Sequence, residues 1–230
     1  MSAPSIKRSR VNQIMRESDE FIRSFGYVLP PFAYWSPEEW RTKGAEFDEI
    51  RNVGLGWDVT DFGSGDLRRI GRTIFTLRNG KKDRRYPKAY AQKAMHMIED
   101  QKSVIHYHLN KMEDICNQGG GNVMILFWAV AENGQRGMDP LTLSMGGRKI
   151  IQPAGEPLRL VPGDAVCVPP RTYHQFWSEA GHGPTLSIEV SSVCDDHTDN
   201  YFLDGGRRFP AIEEDEPSRY ALCNEYENKG

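Results

Sequence analysis

Short β-rich runs between Leu55 and Ser192 constrain the fold of this chain more than any other feature. Val, Ile, Thr and aromatic residues are concentrated in these runs, and Gly, Pro, Asn or Asp bound most of them. Ten runs at such short spacing predict an antiparallel sandwich or barrel and not alternating βαβ units. The runs are LGWDVTDFG, RRIGRTIFTLR, KSVIHYHL, GNVMILFWAV, PLTLSM, RKIIQP, EPLRLVP, DAVCVPP, YHQFWS and PTLSIEVSS.

Helical patterns occur mainly before these runs. Apolar residues recur at intervals of three and four from Val11 to Phe25, and the stripe stops at Gly26, where a left-handed residue can end a helix. The sequence SPEE at 36–39 matches a capping box with proline at the first helical position, which predicts a second helix from about Pro37 to Ile50. The later segment YPKAYAQKAMHMIED, residues 86–100, also has a helical pattern.

The chain is therefore expected to be mainly β with amino-terminal helices. We predict a helical segment, residues 1–53, packed on a β domain, residues 54–230, with the two forming a single structural unit. The β domain ends in the acidic stretch FPAIEEDEPSRYALCNEYENKG. This stretch is predicted to be either a flexible end or a lid over the mouth of the barrel.

Charge and cysteine content argue against several classes of partner. The 29 basic and 32 acidic residues nearly cancel and no long basic run occurs, so nucleic acid and anionic membranes are poor candidates. No apolar run approaches the roughly 20 residues that span a bilayer, and the start of the chain lacks the apolar core of a signal peptide. The four cysteines lie far apart, as free thiols of a reducing compartment would. We expect a soluble cytoplasmic protein.

Two histidines and an acidic residue lie close together in HYHLNKMED, residues 106–114. Residues two apart on a strand point to the same face, so His106 and His108 project together. Neighbouring imidazoles inside a barrel are costly unless a partner such as a divalent cation satisfies them. Glu113 follows across a short turn and can return to the same cation.

A second segment, GDAVCVPPRTYHQFW at residues 163–177, supplies a third histidine. Gly and Asp at its start predict a turn, the two prolines bend the chain, and His174 begins the next strand. Three histidines and one carboxylate suit a first-row ion such as Mn, Fe, Co, Ni or Zn better than Mg or Ca, which prefer oxygen ligands. The predicted metal ligands are His106, His108, Glu113 and His174.

The two segments resemble the two signature motifs of the cupin superfamily. The spacing H-x-H-x4-E-x6-G, from His106 to Gly120, is followed by G-x5-P-x4-H, from Gly163 to His174. One departure is Arg171, where the second motif usually has glycine. Over roughly residues 100–225 the chain further resembles the cupin-type D-lyxose ketol-isomerases. The stretches that carry this resemblance are HYHLNKMEDICNQGGGN, VPPRTYHQFW, EVSSVCDDHTDNYF and FPAIEEDEP.

The resemblance implies a cupin jelly-roll barrel, a bound manganese ion (Mn2+) and a homodimer. It also implies interconversion of D-lyxose with D-xylulose, or of D-mannose with D-fructose. Such a reaction moves a proton between C2 and C1 through an enediol, or shifts a hydride. A metal chelated by O1 and O2 of the sugar would polarise the carbonyl and stabilise the enediolate.

Candidate catalytic residues lie in the first motif and in the acidic tail. The resembling family treats the lysine at the position of Lys111 as catalytic. With a pKa lowered by the nearby cation, its ammonium would donate to a sugar oxygen or relay a proton. The general base is expected among the carboxylates of IEEDE, with Glu213 or Glu214 preferred over Asp215 and Glu216, if the tail folds over the barrel mouth.

Other polar and aromatic residues are assigned by their position. Asp199 and Asn200 follow the strand SIEVSS and are candidates to bind distal hydroxyls, while Phe176 shares strand parity with His174 and would line the pocket. Ordinary surface or turn positions are predicted for the three histidines outside both motifs, which are His96, His182 and His197. A tight turn is predicted for the GGG at residues 119–121.

Three other functions stay open at this point: an iron(II)-dependent dioxygenase, a non-catalytic sugar-binding cupin and a phosphosugar isomerase. Lys111 inside the ligand turn favours proton transfer over oxygen chemistry. A regulatory sugar-binding module would carry a DNA-binding segment, and no helix-turn-helix pattern follows the barrel. Arg171 and Thr172 alone are thin support for a phosphate site.

Overall fold

The computed structural model describes residues 5–226. Within them, α-helices run over Arg8–Ser24 (α1), Pro37–Arg41 (α2) and Asp48–Asn52 (α3), and short 3-10 helices over Pro31–Tyr34 and Ala45–Phe47. The strands are β1 (Ser5–Lys7), β2 (Gly56–Thr60), β3 (Arg72–Arg78), β4 (Tyr90–Met97), β5 (His106–Tyr107), β6 (Glu113–Gly120), β7 (Val123–Ala129), β8 (Leu141–Met145), β9 (Arg148–Gln152), β10 (Leu158–Leu160), β11 (Ala165–Val168), β12 (Thr172–Ser178), β13 (Thr185–Ser192), β14 (Tyr201–Phe202) and β15 (Ala211–Glu213). None of the described helices is long and apolar enough to cross a bilayer.

Two antiparallel sheets pack together as a jelly roll. The larger sheet has the order β2-β3-β4-β13-β6-β11-β8-β9, and the smaller has the order β10-β7-β12-β5-β14. Strands distant in sequence are neighbours, as where β13 lies between β4 and β6. Such crossovers are typical of a jelly roll. The predicted fold class, mainly β with amino-terminal helices, is confirmed.

The larger sheet has an apolar core on each of its faces. Ile74 faces the smaller sheet and belongs to one buried cluster with Phe176 of β12. Phe75, the next residue, points the opposite way and packs with Trp57 and with Met15 of α1. The apolar stripe predicted on the first helix therefore covers the outer face of the sheet, while the inner face is left for the functional site.

The second predicted helix begins where the sequence indicates and ends early. The capping box forms and α2 starts at Pro37. The prediction that this helix continues to Ile50 is wrong, because α2 ends at Arg41 and a break separates it from α3. Arg51 stabilises the break, since its buried guanidinium donates to the carbonyl of Gly44 over 3.0 Å.

The helix predicted at residues 86–100 is also wrong, because Tyr90–Met97 forms the central strand β4. Alanine and methionine give this segment its helical pattern. Its backbone pairs instead with β3 on one side and β13 on the other. Ala94 and Met95 are fully buried on opposite faces of the sheet. Packing on both faces outweighs the local preference.

Strand β6 was not expected, and it contains part of the predicted glycine turn. Gly119 pairs with Leu186 of β13 within the sheet, so the turn begins only after Gly120. A Cβ atom on Gly119 would lie 2.5 Å from the ring of Phe25. Glycine at this position therefore allows the end of α1 to approach the sheet.

The acidic tail packs on the first turn of α1. Strand β15 pairs in parallel with β1. Arg8 contacts Glu214 over 2.6 Å, and Asp215 accepts hydrogen bonds from the backbone N–H and the hydroxyl of Ser9 over 2.8 and 2.7 Å. Acidic groups at a helix amino terminus are favoured by the helix dipole. The segment is therefore not a free end up to residue 226, and its carboxylates Glu214 and Asp215 are held at the start of α1.

His96 differs from its predicted surface or turn position. It lies on β4, is 7% exposed and stacks on Phe21 with ring centroids 4.4 Å apart. Its Nδ1 lies 2.9 Å from the hydroxyl of Ser18, so the imidazole joins α1 to the sheet. Burial lowers the pKa of His96 to about 4.

This buried imidazole predicts a pH dependence of stability. Between pH 6.5 and about 4 the unfolded chain binds a proton at residue 96 that the folded protein does not. Stability attributable to His96 is therefore present above pH 6.5 and lost as the pH falls. We expect the free energy of unfolding to drop about 2 kcal/mol more between pH 7 and 5 in the native protein than in His96→Gln. Urea unfolding at both pH values measures this difference. The exposed His182, replaced by Gln, is the control, and equal pH slopes in all three proteins would contradict the prediction.

Candidate active site

Three buried histidines converge inside the barrel. His106 lies on β5 opposite His174 on β12, and His108 follows two residues later. Their exposed fractions are 8%, 1% and 5%, respectively. One ligand atom from each lies within 4.8 Å of the others. The two segments that the sequence analysis paired thus meet in one cluster that could bind a metal.

In all three rings a hydrogen bond at Nδ1 turns the other ring nitrogen, Nε2, toward the cluster. Each Nδ1 lies 3.0 Å from a backbone carbonyl oxygen, namely those of Val104, Asp199 and Thr172. A carbonyl only accepts, so each Nδ1 carries the proton and each Nε2 keeps its lone pair. Burial lowers the pKa of His106 well below its usual value and that of His108 to about 4. Rings held in this way at Nδ1 direct Nε2 toward the cluster, which is the arrangement of metal-binding imidazoles.

Glu113, the first residue of β6, lies beside this cluster. Its Oε1 is 2.9 Å from Nε2 of His174 and 3.7 Å from Nε2 of His108. The His174 nitrogen is nevertheless buried without a well-aligned hydrogen bond among the described residues. Burial raises the pKa of Glu113, but Lys111 and His108 outweigh it and hold that pKa well below its usual value. The donor set of three imidazoles and one carboxylate fits a first-row divalent cation.

The loop before His174 keeps the backbone of the second motif despite its departure from glycine. Arg171 has φ 57°, the left-handed conformation that glycine adopts without strain. Its N–H donates to the carbonyl of His108 over 2.7 Å. The side chain at this position therefore changes, while the turn that joins the two motifs is retained.

Lys111 lies between two buried carboxylates. Its Nζ is 2.6 Å from Oε2 of Glu113 and 2.8 Å from Oε1 of Glu189. Burial lowers the pKa of Lys111, but attraction to Glu113 and Glu189 outweighs it and raises the pKa well above its usual value. The expected lowering depends on a bound cation and stays a prediction. Within the described residues Lys111 donates hydrogen bonds to both carboxylates.

Glu189 was not among the predicted site residues. It lies on β13 and is 5% exposed, and its Oε1 also accepts from the hydroxyl of Ser191 over 3.0 Å. Burial raises its pKa, but Lys111 and Lys93 outweigh this and lower the pKa of Glu189. The only sequence signal for Glu189 was that it points to the same face of β13 as the serines two residues before and after it. That signal is weak because residues on both faces of β13 are buried.

Asp199 and Phe176 lie near the histidines with different roles. Both carboxylate oxygens of Asp199 are used within the ligand loop: Oδ1 accepts from Asn110, and Oδ2 accepts from the N–H of Lys111 over 3.0 Å. Asp199 therefore holds the loop in place, which differs from its expected contact with distal hydroxyls. The ring of Phe176 is stacked beside His174 at 6.4 Å between centroids, on the interior face as expected.

Glu213 and Glu214 lie in the segment that packs on α1. Glu213 is paired with Lys7 in the β1–β15 ladder, and Glu214 is held by Arg8. Within residues 5–226 neither carboxylate has a hydrogen bond or an ion pair with any of the three histidines. The expected base role required Glu213 or Glu214 to reach the cluster, and both lie at the start of α1 instead.

We expect Glu213→Gln and Glu214→Gln to leave kcat within about twofold of the native enzyme, because surface substitutions remote from a site change free energies little. Glu214→Gln should lower the melting temperature more than Glu213→Gln, since only Glu214 pairs with the buried Arg8. Steady-state assays and thermal melts of both variants test this. A large loss of kcat in folded Glu213→Gln or Glu214→Gln would restore the acidic tail as the source of the base.

Comparison with known proteins shows to which family this chain is similar. The family model described as D-lyxose isomerase matches residues 6–226. A D-lyxose/D-mannose isomerase of Escherichia coli O157:H7 is 44% identical over 223 residues, which cover 96% of this chain and 98% of the relative. A protein of the same name from Serratia proteamaculans is 43% identical over the same shares of both chains.

Solved structures of similar fold include two L-ribose isomerases. The Acinetobacter sp. DL28 enzyme has a TM-score of 0.61 at 16% identity, and the Geodermatophilus obscurus enzyme has a TM-score of 0.58 at 16% identity. In each case the match covers 92% of this chain and 100% of the other. At this identity the likeness supports the fold alone. From the family model and the two relatives we conclude that this chain belongs to the D-lyxose isomerase family.

Proposed function

We propose that this chain is a metal-dependent aldose-ketose isomerase that interconverts D-lyxose with D-xylulose and D-mannose with D-fructose. The observation that carries the metal dependence is the cluster of three buried histidines whose Nδ1 atoms all face backbone carbonyls. The choice of D-lyxose and D-mannose as substrates rests on the names of the two relatives. The relatives favour an isomerase over the dioxygenase, sugar-binding and phosphosugar alternatives.

His106, His108, Glu113 and His174 would hold the metal, which we propose to be Mn2+. When bound, a divalent ion supplies Lewis-acid stabilisation of negative charge on the two oxygens at C1 and C2. All four side chains are buried, and the lowered pKa of Glu113 keeps its carboxylate ionised. The carboxylate in the donor set is compatible with manganese, and the imidazoles admit other first-row ions.

Glu189 is the proposed general base. Its lowered pKa keeps the carboxylate ionised, and it shares Lys111 with the metal-site carboxylate Glu113. The C2 proton of the aldose would move to Glu189 while O1 takes a proton from Lys111, which gives the enediol. Glu189 would then return its proton to C1 while the O2 proton returns to Lys111, which gives the ketose. Lys111 would donate to the sugar oxygens and keep both carboxylates ionised.

The proposal extends to a cytoplasmic homodimer. All four cysteines are free thiols, as in a reducing compartment. Three large apolar side chains are exposed side by side on the outer face of the larger sheet, where α1 does not cover it: Tyr90 (48%), Met112 (49%) and Val190 (45%). Light scattering of the purified protein tests the dimer, and a monomer at micromolar concentration would contradict it.

The direct test of function is an isomerase assay across the aldopentoses and aldohexoses with manganese added. We expect formation of D-xylulose from D-lyxose without oxygen consumption. Metal analysis of the purified protein and oxygen uptake with ferrous ion complete the experiment. Oxygen consumption without ketose would identify a dioxygenase, and activity confined to phosphorylated sugars would identify a phosphosugar isomerase. Sugar binding without either reaction would leave a binding protein.

A further inference from the structure

Arg72 is a buried guanidinium on the inner face of the larger sheet. It begins β3, is 5% exposed and shares its face with Ile74 of the inner core. Its guanidinium carbon lies 3.5 Å from the ring centroid of Phe176, and that ring stacks beside His174. Arg72 therefore lies inside the barrel, next to the proposed metal centre but outside its donor set.

Two of its nitrogens are buried without a hydrogen-bond partner. Nη1 lies 3.7 Å from the sulfur of Met95, whereas Nε and Nη2 have no partner within the described part of the chain. The Nε–H and one Nη2–H point in parallel from the same edge of the planar group, which is the arrangement that binds two oxygens at once. Buried charged donors left unpaired are costly, so this edge is suited to receive a ligand.

The charges around Arg72 indicate a neutral ligand. Burial lowers the pKa of Arg72 to about 9, and the nearby Glu113 and Glu189 oppose this shift. These two carboxylates already balance the charge of Arg72 electrostatically, so its open edge suits hydroxyl oxygens better than a phosphate.

We propose that Arg72 is a specificity-determining residue that binds two adjacent sugar hydroxyls, O3 and O4, through its Nε–H and Nη2–H. The choice of sugar rests on the proposed function. The metal donors and Glu189 would take the C1–C2 end of the sugar. Arg72 lies over the Phe176 ring, which is next to His174, so its open edge would meet the hydroxyls beyond C2.

The stereochemistry of the sugars makes this proposal specific. D-lyxose, D-xylulose, D-mannose and D-fructose share one configuration at C3 and C4. The two parallel donors of Arg72 can therefore bind O3 and O4 of all four sugars. L-ribose differs from D-lyxose only at C4, and D-arabinose differs only at C3. A residue that binds O3 and O4 together therefore discriminates D-lyxose from both of these pentoses.

The test compares Arg72→Met and Arg72→Lys with the native enzyme loaded with manganese. Methionine keeps an unbranched side chain over Phe176, and lysine keeps the charge but loses the parallel donors. We expect both variants to keep metal content and to lose at least about 100-fold in kcat/KM for D-lyxose, as two hydrogen bonds to a charged group predict. The ratio of kcat/KM for D-lyxose to that for L-ribose should fall by at least about tenfold. Arg136→Met is the control, since Arg136 is exposed over Trp128.

An unchanged D-lyxose to L-ribose ratio in either folded variant would overturn the proposal, as would a loss of activity that only follows a loss of metal. If Arg72→Met does not fold, the lysine variant decides alone.

If the native protein isomerises no aldose, the proposed function fails and D-mannitol, which cannot isomerise, replaces the substrate. A rise in melting temperature with D-mannitol in the native protein that is lost in Arg72→Lys then supports the role of Arg72. An equal rise in both, or none in the native protein, overturns it.

Discussion

Glu189→Gln is expected to lower kcat for D-lyxose by about 10²–10⁴-fold, the contribution of a positioned general base. Glutamine has the size of glutamate and its amide oxygen can still accept from Lys111, so metal content and KM should change little. It cannot take the C2 proton. Proton NMR in D2O provides a second measurement, because the native enzyme should exchange solvent deuterium into the sugar at the transferred position more rapidly than the variant.

The exposed Glu132, replaced by Gln, is the matched control for this substitution. Activity of Glu189→Gln within tenfold of the native enzyme would assign the proton transfer to another group. A parallel loss of metal and activity would instead make Glu189 a support of the metal centre through Lys111.

Removal of the divalent metal is expected to reduce turnover by about 10³-fold or more, since Lewis-acid stabilisation of the enediolate is worth several kcal/mol. Added Mn2+ should restore the native protein after chelation. The melting temperature of the native protein should also rise with the concentration of Mn2+, because the ion binds the folded state alone. His106→Asn and His174→Asn should show neither the recovery nor the rise.

The matched control is His182→Asn, whose imidazole is 48% exposed and outside the cluster. Full activity of the chelated native protein would contradict a metal-dependent reaction. A metal-induced rise in melting temperature that persists in both histidine variants would place the metal elsewhere in the chain.

The local spacing of the sequence predicted the histidine cluster because each motif carries its own geometry. His106 and His108 share a face by strand periodicity, and the turn before His174 returns that residue to the opposite strand. The family resemblance supplied the jelly-roll topology that brings the motifs together. Arg171 shows that such a motif can tolerate a non-glycine residue in a left-handed backbone conformation.

Features that depend on distant packing were not predictable in the same way. The segment at residues 86–100 is rich in helix-forming residues, and only its place between β3 and β13 makes it a strand. Glu189 and Arg72 each lie on strands buried on both faces, where alternation of polar and apolar residues disappears. Their partners come from other strands, so no local pattern identifies them.

The acidic tail was misplaced for a related reason. Its charge suggested proximity to a sugar or to a cation, and charge alone does not specify a location. Arg8 is one of the residues that hold it, and it is 206 positions away from Glu214 in the chain. Interactions of such long separation follow from the completed fold and not from local sequence.

The pairing of β1 with β15 has a consequence for biosynthesis. The apolar face of α1 is synthesised long before the strand β15 and the carboxylate Glu214 that fasten its start. Until then the nascent helix is held by apolar contacts alone, and contacts of high sequence separation form slowly. The chain is therefore exposed to aggregation until β15 has been made and pairs with β1.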